Sequence, residues 1–212
     1  DAQFMSATKY VSTTMDGDET VFGVNFVDGR IKGYPVKDPQ TKVANEYYTI
    51  YVRDNEEYGK NDFVDNEDGT ITDKATGLMW MEVDSGDGSF NVGENGAMDW
   101  ESALEWAENL SYAGYDDWKL PDAKELQSIV DYTRSPETTN SAAIDPLFDC
   151  TVIKMEGTNE DGYGYYWTST THKTGPDAGM HAAYIAFGKG MGYMDGEYKD
   201  VHGAGVQRSD PK

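Results

Sequence analysis

Cysteine is almost absent. Cys150 stands alone, so the chain closes no disulfide of its own and offers no cysteine-based zinc site. A lone thiol fits the cytosol, or an exported protein whose partner cysteine lies in another chain. Histidine is scarce as well: His172, His181 and His202 are the whole supply. No apolar run reaches the roughly 20 residues of a membrane-spanning helix, so membrane insertion is not expected. Basic residues are outnumbered, 17 Lys and Arg against 39 Asp and Glu, which gives a formal net charge of −22 and a pI near 4.2. Such a field repels phosphate backbones and anionic lipid heads, which argues against nucleic-acid and membrane-surface partners. It favours cations, Ca²⁺ among them, although a solvated acidic surface accounts for the same charge.

Catalytic signatures are missing too. There is no Gly-x-Ser-x-Gly elbow and no His-Glu-x-x-His pair. The run Gly188 to Gly192 has the glycine count of a phosphate loop but not its Lys-Ser/Thr ending, and it reads as a hairpin turn. Cys150 has no histidine near it in sequence and reads as a structural thiol. The three histidines could gather round a metal or act as a base; the competing reading is ordinary surface and strand positions. The expectation is a chain that is not an enzyme and requires no cofactor.

Aromatic residues are plentiful. Five Trp, fifteen Tyr and seven Phe supply the area for a real core, while a mean hydropathy of −0.70 reads as a soluble chain. The stretch Phe63 to Trp80 organises the rest. Asp68-Gly69 is a tight-turn signal between β-favouring runs, and Leu78-Met79-Trp80 is an apolar strand in need of a core. Downstream, Asp99 is a helix N-cap, and Trp100, Ala103, Leu104, Ala107 and Leu110 share one helical face. Pro121-Asp122 opens a second helix with Glu125 completing a capping box, Leu126, Ile129 and Val130 as its buried stripe, and Ser135-Pro136 as its end. Ile144, Leu147 and Phe148 are expected to plug the core from a loop. The last third returns to strands over Tyr165–Thr170, His181–Phe187, Met191–Met194 and Val206–Arg208, with a Gly/Pro/Thr loop from His172 to Gly179. Two helices followed by a late antiparallel sheet is an α+β pattern.

Residues 1–60 are strands and turns without helices. Phe4–Thr8 matches Tyr166–Thr170, Val24–Phe26 matches Ile185–Phe187, and Tyr51-Val52-Arg53 matches Val206-Gln207-Arg208. The matches lie about 160 residues apart, one domain length. The block therefore reads as the C-terminal half of a preceding copy, ahead of a complete domain over 61–212, with a further strand at Tyr47–Arg53. Half of a two-layer fold leaves a sheet face bare. A missing N-terminal half-domain, another subunit, or docking on the complete domain would cover it.

Two kinds of site can be drawn from these residues. Asp65, Asp68 and Asp73 could close a cation loop suited to Ca²⁺; the competing reading is a hairpin turn that favours Asp and Gly for their backbone angles. The late loops could build a platform on which an aromatic face stacks against a sugar ring. Its candidate residues are His172, Lys189, Tyr193, Asp195, Glu197 and Tyr198.

The motifs around Asp68-Gly69 and Trp80, with Asp117-Trp118-Lys119-Leu120-Pro121, Glu125-Leu126 and Tyr166-Trp167-Thr168-Ser169-Thr170, resemble the Lcl C-terminal domain family in matching order over Phe63 to Arg208. The resemblance implies a C-type-lectin-like fold in an extracellular or cell-surface, prokaryotic protein, with ligands held by the late strands and loops. It implies no established reaction. The fold is shared with formylglycine-generating oxidases, whose paired cysteines this chain lacks. The family's namesake adhesin binds sulfated glycans, a ligand that −22 would repel. The reading is a non-catalytic, extracytoplasmic adhesion or recognition module whose ligand is a glycan or a protein. The alternative is an assembly subunit of a surface polymer, a homo-oligomer joined through the N-terminal half-repeat.

Overall fold

Asp16-Gly17 breaks the first β-favouring run into a hairpin, and Asp28-Gly29 turns the chain again. The strands are β1 (Gln3–Thr14), β2 (Asp18–Asn25) and β3 (Ile31–Pro35). The computed structural model describes residues 3–155, 157–172 and 179–212; most of the Gly/Pro/Thr loop after His172 lies outside the described residues. Around Asp68-Gly69 the chain forms a three-stranded meander of β4 (Phe63–Asp65), β5 (Thr70–Asp73) and β6 (Leu78–Met81). Three short helices follow: α1 (Trp100–Glu108), α2 (Ala123–Gln127) and α3 (Pro136–Thr139). A small hairpin, β7 (Val152–Lys154) with β8 (Asp161–Tyr163), precedes β9 (Tyr165–His172) and β10 (His181–Ala186). A second hairpin, β11 (Met191–Met194) with β12 (Glu197–Asp200), leads to β13 (Gln207–Pro211).

The architecture is α+β with open antiparallel sheets. Every named strand pairing is antiparallel, and the main sheet has six strands in the order β1-β2-β3-β13-β10-β9. The first three strands come from the N-terminal block and the last three from the end of the chain. They meet where Ile31 pairs with Gln207. A Cβ on Gly33 would come within 2.2 Å of the His202 carbonyl oxygen, so only glycine lets β3 lie against the 202–205 turn.

Two clusters make the core. Leu126, Ile129, Ala142, Ile144, Ile185 and Phe187 seat α2 and the following loop on β10. Tyr10, Phe22, Ala143, Ala186, Ala204 and Val206 join the two halves of the sheet, with the Tyr132 ring 4.7 Å from Phe22. The α1 helix is fastened to β9 by two indoles: Trp100 Nε1 donates to the Thr168 carbonyl at 2.7 Å, and Trp167 Nε1 donates to the Met98 carbonyl at 3.1 Å.

Both expected N-caps are in place, Asp99 accepting from Ser102 N and Asp122 closing a capping box with Glu125. Three expectations need correcting. The second helix does not run to Ser135: it ends at Gln127, where Ser128 Oγ donates back to the Glu125 carbonyl. Ser135-Pro136 instead starts α3, with Ser135 as N-cap and Pro136 in the first turn, where its missing N–H costs nothing. Leu147 is exposed, leaving Ile144 and Phe148 to face the core. Tyr47–Arg53 is not a strand: Tyr48 alone bridges the edge of β1, at Phe4, and the residues after it make no ladder.

Phe22 is 2% exposed and lies in the cluster that joins the halves. Phe22→Ala is expected to lower the unfolding free energy by about 3–5 kcal/mol. All five tryptophans lie beyond residue 79, so urea unfolding followed by Trp fluorescence reads the rest of the chain. A transition left unmoved would show that the N-terminal strands do not support the remainder.

Candidate functional site

The β11–β12 hairpin is built by Asp195-Gly196, whose φ values of 55° and 89° suit the two-residue turn that joins twisted strands. The turn sets Tyr193 opposite Tyr198, ring centroids 5.1 Å apart and edge to face. Tyr198 lies against Gly157, while Tyr193 is 65% exposed and Met194 beside it is exposed too. The hairpin thus presents one aromatic ring held by another.

Its base is braced from the far end of the sequence. Met15 N donates to the Asp200 carbonyl at 2.9 Å, and Lys199 Nζ bridges Asp16 at 2.5 Å and Glu197 at 2.6 Å. Hydrogen bonds to Asp16 and then Glu197 raise the Lys199 pKa, so it stays an ammonium. Lys189 reaches Glu137 at 3.1 Å and Glu160 at 3.5 Å. Burial pulls its pKa down, but the two carboxylates outweigh that and the net shift is upward. Behind them the Tyr10 hydroxyl faces both Glu137 at 3.0 Å and Asp200 at 3.3 Å. Asp200 Oδ1 accepts from Gly190, His202 and Gly203 backbone N–H groups, yet burial raises its pKa, with Glu137 adding to the shift.

Of the six ligand candidates, the structure gathers Lys189, Tyr193, Asp195, Glu197 and Tyr198 on or beside this hairpin. His172 is elsewhere. It pairs with His181 at one end of the β9–β10 ladder, while Ala186 pairs with Tyr165 at the other, next to the hairpin. There His172 Nε2 donates to the Asp28 carbonyl at 2.8 Å and lines a shallow cavity of about 320 Å³ with Thr170 and Gln207. Asp16, Met15 and Tyr10 had no sequence signal as site residues, since they approach the hairpin from more than 170 residues away.

The cation candidates do not converge. Asp65 accepts from Glu67 N, and Asp68 accepts from Thr70 N and Thr70 Oγ1, each within its own turn. Asp73 sits at the other end of the β4–β5 hairpin, opposite Phe63, and is buried. Burial alone would raise its pKa, but bonds from Asp62 N, Asn61, Thr76 and Ala75 N hold it below the usual carboxylate range. Among the described residues no three His, Cys, Asp or Glu side chains form a metal-holding group. In the loop after β6, Asp84 ties the chain together by accepting from Gly86 N, Thr151 N, Thr151 Oγ1 and the Tyr166 hydroxyl. Cys150 lies in the same cluster of side chains as Tyr166, and burial pushes its thiol up to about 12.

His202 is a fastening between the halves. Its Nδ1 donates to the Gly33 carbonyl at 3.1 Å. Burial, resisted by that bond and aided by the charges of Lys32 and Arg208, lowers its pKa from 6.5 to about 4. The unfolded chain takes up this proton near pH 6.5, and the folded chain takes it up only near pH 4. Stability from this group is therefore complete above the higher value and is lost as pH falls to the lower, by on the order of 3 kcal/mol. Urea unfolding of the wild type and His202→Asn at pH 7 and at pH 4.5 tests this: the acid loss should be smaller in the variant.

No curated protein and no solved structure matches this chain. The model of the Lcl C-terminal domain matches residues 69–206, from the Asp68-Gly69 turn to the residue before β13. That match spans every buried residue of the cluster under α2, all three helices and the β11–β12 hairpin, while Tyr10 and Phe22 of the other cluster lie before it, and by it the chain belongs to the Lcl C-terminal domain family.

Proposed function

We propose that this chain is a non-catalytic, extracytoplasmic binding module of C-type-lectin-like fold, whose ligand is a glycan or a protein. The observation that carries the reading is the ring of Tyr193, 65% exposed on a hairpin and supported edge-on by Tyr198. A fixed aromatic face with a polar tip suits stacking on a sugar ring or on a partner's apolar side chain. The carboxylates of Asp195 and Glu197 stand beside it to accept hydroxyl or amide protons. The net charge of −22 favours neutral ligands over sulfated ones. Membership of the Lcl C-terminal domain family supports the surface location and the recognition role.

A glycan array probed with the full chain, with and without Ca²⁺, tests the reading. Binding to neutral glycans is expected, and Tyr193→Ala should weaken it by about tenfold, roughly 1.4 kcal/mol. Binding that Tyr193→Ala leaves unchanged would move the site elsewhere. Preference for sulfated glycans would overturn the charge argument.

A further inference from the structure

Beneath the β11–β12 hairpin one hydroxyl stands between two carboxylates. Tyr10 on β1 is 5% exposed. Its hydroxyl oxygen lies 3.0 Å from Glu137 Oε2 on α3 and 3.3 Å from Asp200 Oδ2 at the end of β12. Burial, with the charges of Asp200 and Glu137, pushes the Tyr10 pKa up, so the hydroxyl keeps its proton. It has one proton to donate and two acceptors in reach. With both carboxylates ionised, one of them faces the lone pairs of the hydroxyl oxygen, a costly arrangement where water is excluded. The two acids are not equivalent. Glu137 Oε1 pairs with Lys189 at 3.1 Å, whereas Asp200 forms no ion pair among the described residues. Asp200 Oδ1 already accepts from Gly190, His202 and Gly203 N–H groups, at 3.0, 3.3 and 2.7 Å. Oδ2 has only the Tyr10 hydroxyl as a hydrogen-bond partner among the described residues.

We propose that Asp200 carries a proton on Oδ2 and donates it to the Tyr10 oxygen, that Tyr10 donates its own to Glu137 Oε2, and that this relay is a pH-sensitive clip fastening the hairpin base to β1 and α3. Glu137 is then the ionised end, beside Lys189, and Asp200 the neutral end. Burial raises the Asp200 pKa, the Gly203 N–H lowers it, the charge of Glu137 raises it again, and bonds from His202 N and Tyr10 lower it; the net shift is upward from 3.8. The other charged groups of the neighbouring elements are engaged elsewhere. Glu160 faces Lys189, Lys199 turns to Asp16 and Glu197, Arg208 bonds the Met191 carbonyl, and the His202 ring bonds the Gly33 carbonyl. Loss of the proton leaves two charged carboxylates round one hydroxyl, so the clip opens as pH rises. A carboxyl whose folded pKa lies above its unfolded one stabilises fully below the unfolded value, and that stability is lost as pH rises through the folded value. His202 acts in the opposite direction, so the clip has to be read locally and not from whole-chain stability.

The clip needs no ligand, so it stands or falls separately from the binding role of Tyr193. The test is a carbon-13 NMR titration of the Asp200 carboxyl in the full chain, its signal assigned by its loss in Asp200→Asn. Amide exchange is followed at Met15 and Val201, whose N–H groups donate to the Asp200 and Gly190 carbonyls. The folded carboxyl should titrate above its midpoint in the urea-unfolded chain. Protection at Met15 and Val201, corrected for the intrinsic rate, should fall by about tenfold as Asp200 ionises. Asp200→Asn keeps an oxygen for the three N–H groups and turns an amide donor toward Tyr10, so its protection should stay at the acid-form level throughout. Glu137→Gln, at a partly exposed side chain, removes a charge and should lower the Asp200 midpoint. A midpoint at or below the unfolded one would overturn the proposal. So would Asp200→Asn protection about tenfold below the wild type at pH 7, because an ionised carboxylate would then be the group that holds the hairpin. A midpoint that Glu137→Gln leaves unmoved would show that burial alone keeps the proton and that there is no relay.

Discussion

The approach of Gly33 to the carbonyl of His202 holds this structure together. It lets strands separated by the whole family domain share one sheet, and it brings Phe22 to Ala186 and Val206 in a common cluster. The backbone joint itself is slender, a single register pair between Ile31 and Gln207. Side chains carry the rest: Arg30 reaches Ser209, Gln207 reaches the Gly29 carbonyl, and His202 reaches the Gly33 carbonyl. Burial of the apolar cluster supplies the driving force, and these polar contacts fix the register.

Charge shapes the surface without deciding the fold. With fewer than half as many cations as anions, Lys189 and Lys199 each stand between two carboxylates. Exposed ion pairs contribute little, about 1 kcal/mol or less. The hairpin's base is therefore held less by the Lys199 charge than by the Met15–Asp200 backbone bond. The Arg208 guanidinium adds a bond at 2.7 Å to the Met191 carbonyl. Over longer range the acidic surface repels other anions.

Local chemistry was legible in the sequence wherever one segment decided its own shape. Asp99 and Asp122 capped helices, Asp68-Gly69 and Asp195-Gly196 turned hairpins, and Trp80 and Ile129 went to the core side. What failed depended on competition between segments. Ser135-Pro136 can end one helix or begin another, and only the chain's path toward Tyr10 and β1 decided which. Tyr47–Arg53 has strand propensity, but propensity cannot tell that only Tyr48 reaches the edge of β1. At the site, Tyr193 and Tyr198 could be paired from a two-residue turn. The separation of His172 required knowing which end of the β9–β10 ladder the hairpin leaves from.

The two sheet halves place their matched pieces alike, β1 and β9 at the edges and β2 and β10 next to them, but they differ in how the third strand is reached. After β2 the chain turns at Asp28-Gly29 and enters β3 directly. After β10 it makes a detour of about 20 residues through the β11–β12 hairpin before returning as β13. A connection of minimum length can only join strands. A detour that is itself a hairpin projects side chains the sheet does not use, and its first and last residues are pinned close together because both flank the same strand pair. The hairpin's tip is therefore free of the packing that constrains the rest of the sheet, while the β1–β2 turn holds its base through Met15 and Asp16. A braced base under an exposed aromatic tip is an arrangement in which the tip's side chains can change without cost to the core, because Tyr193 belongs to neither hydrophobic cluster.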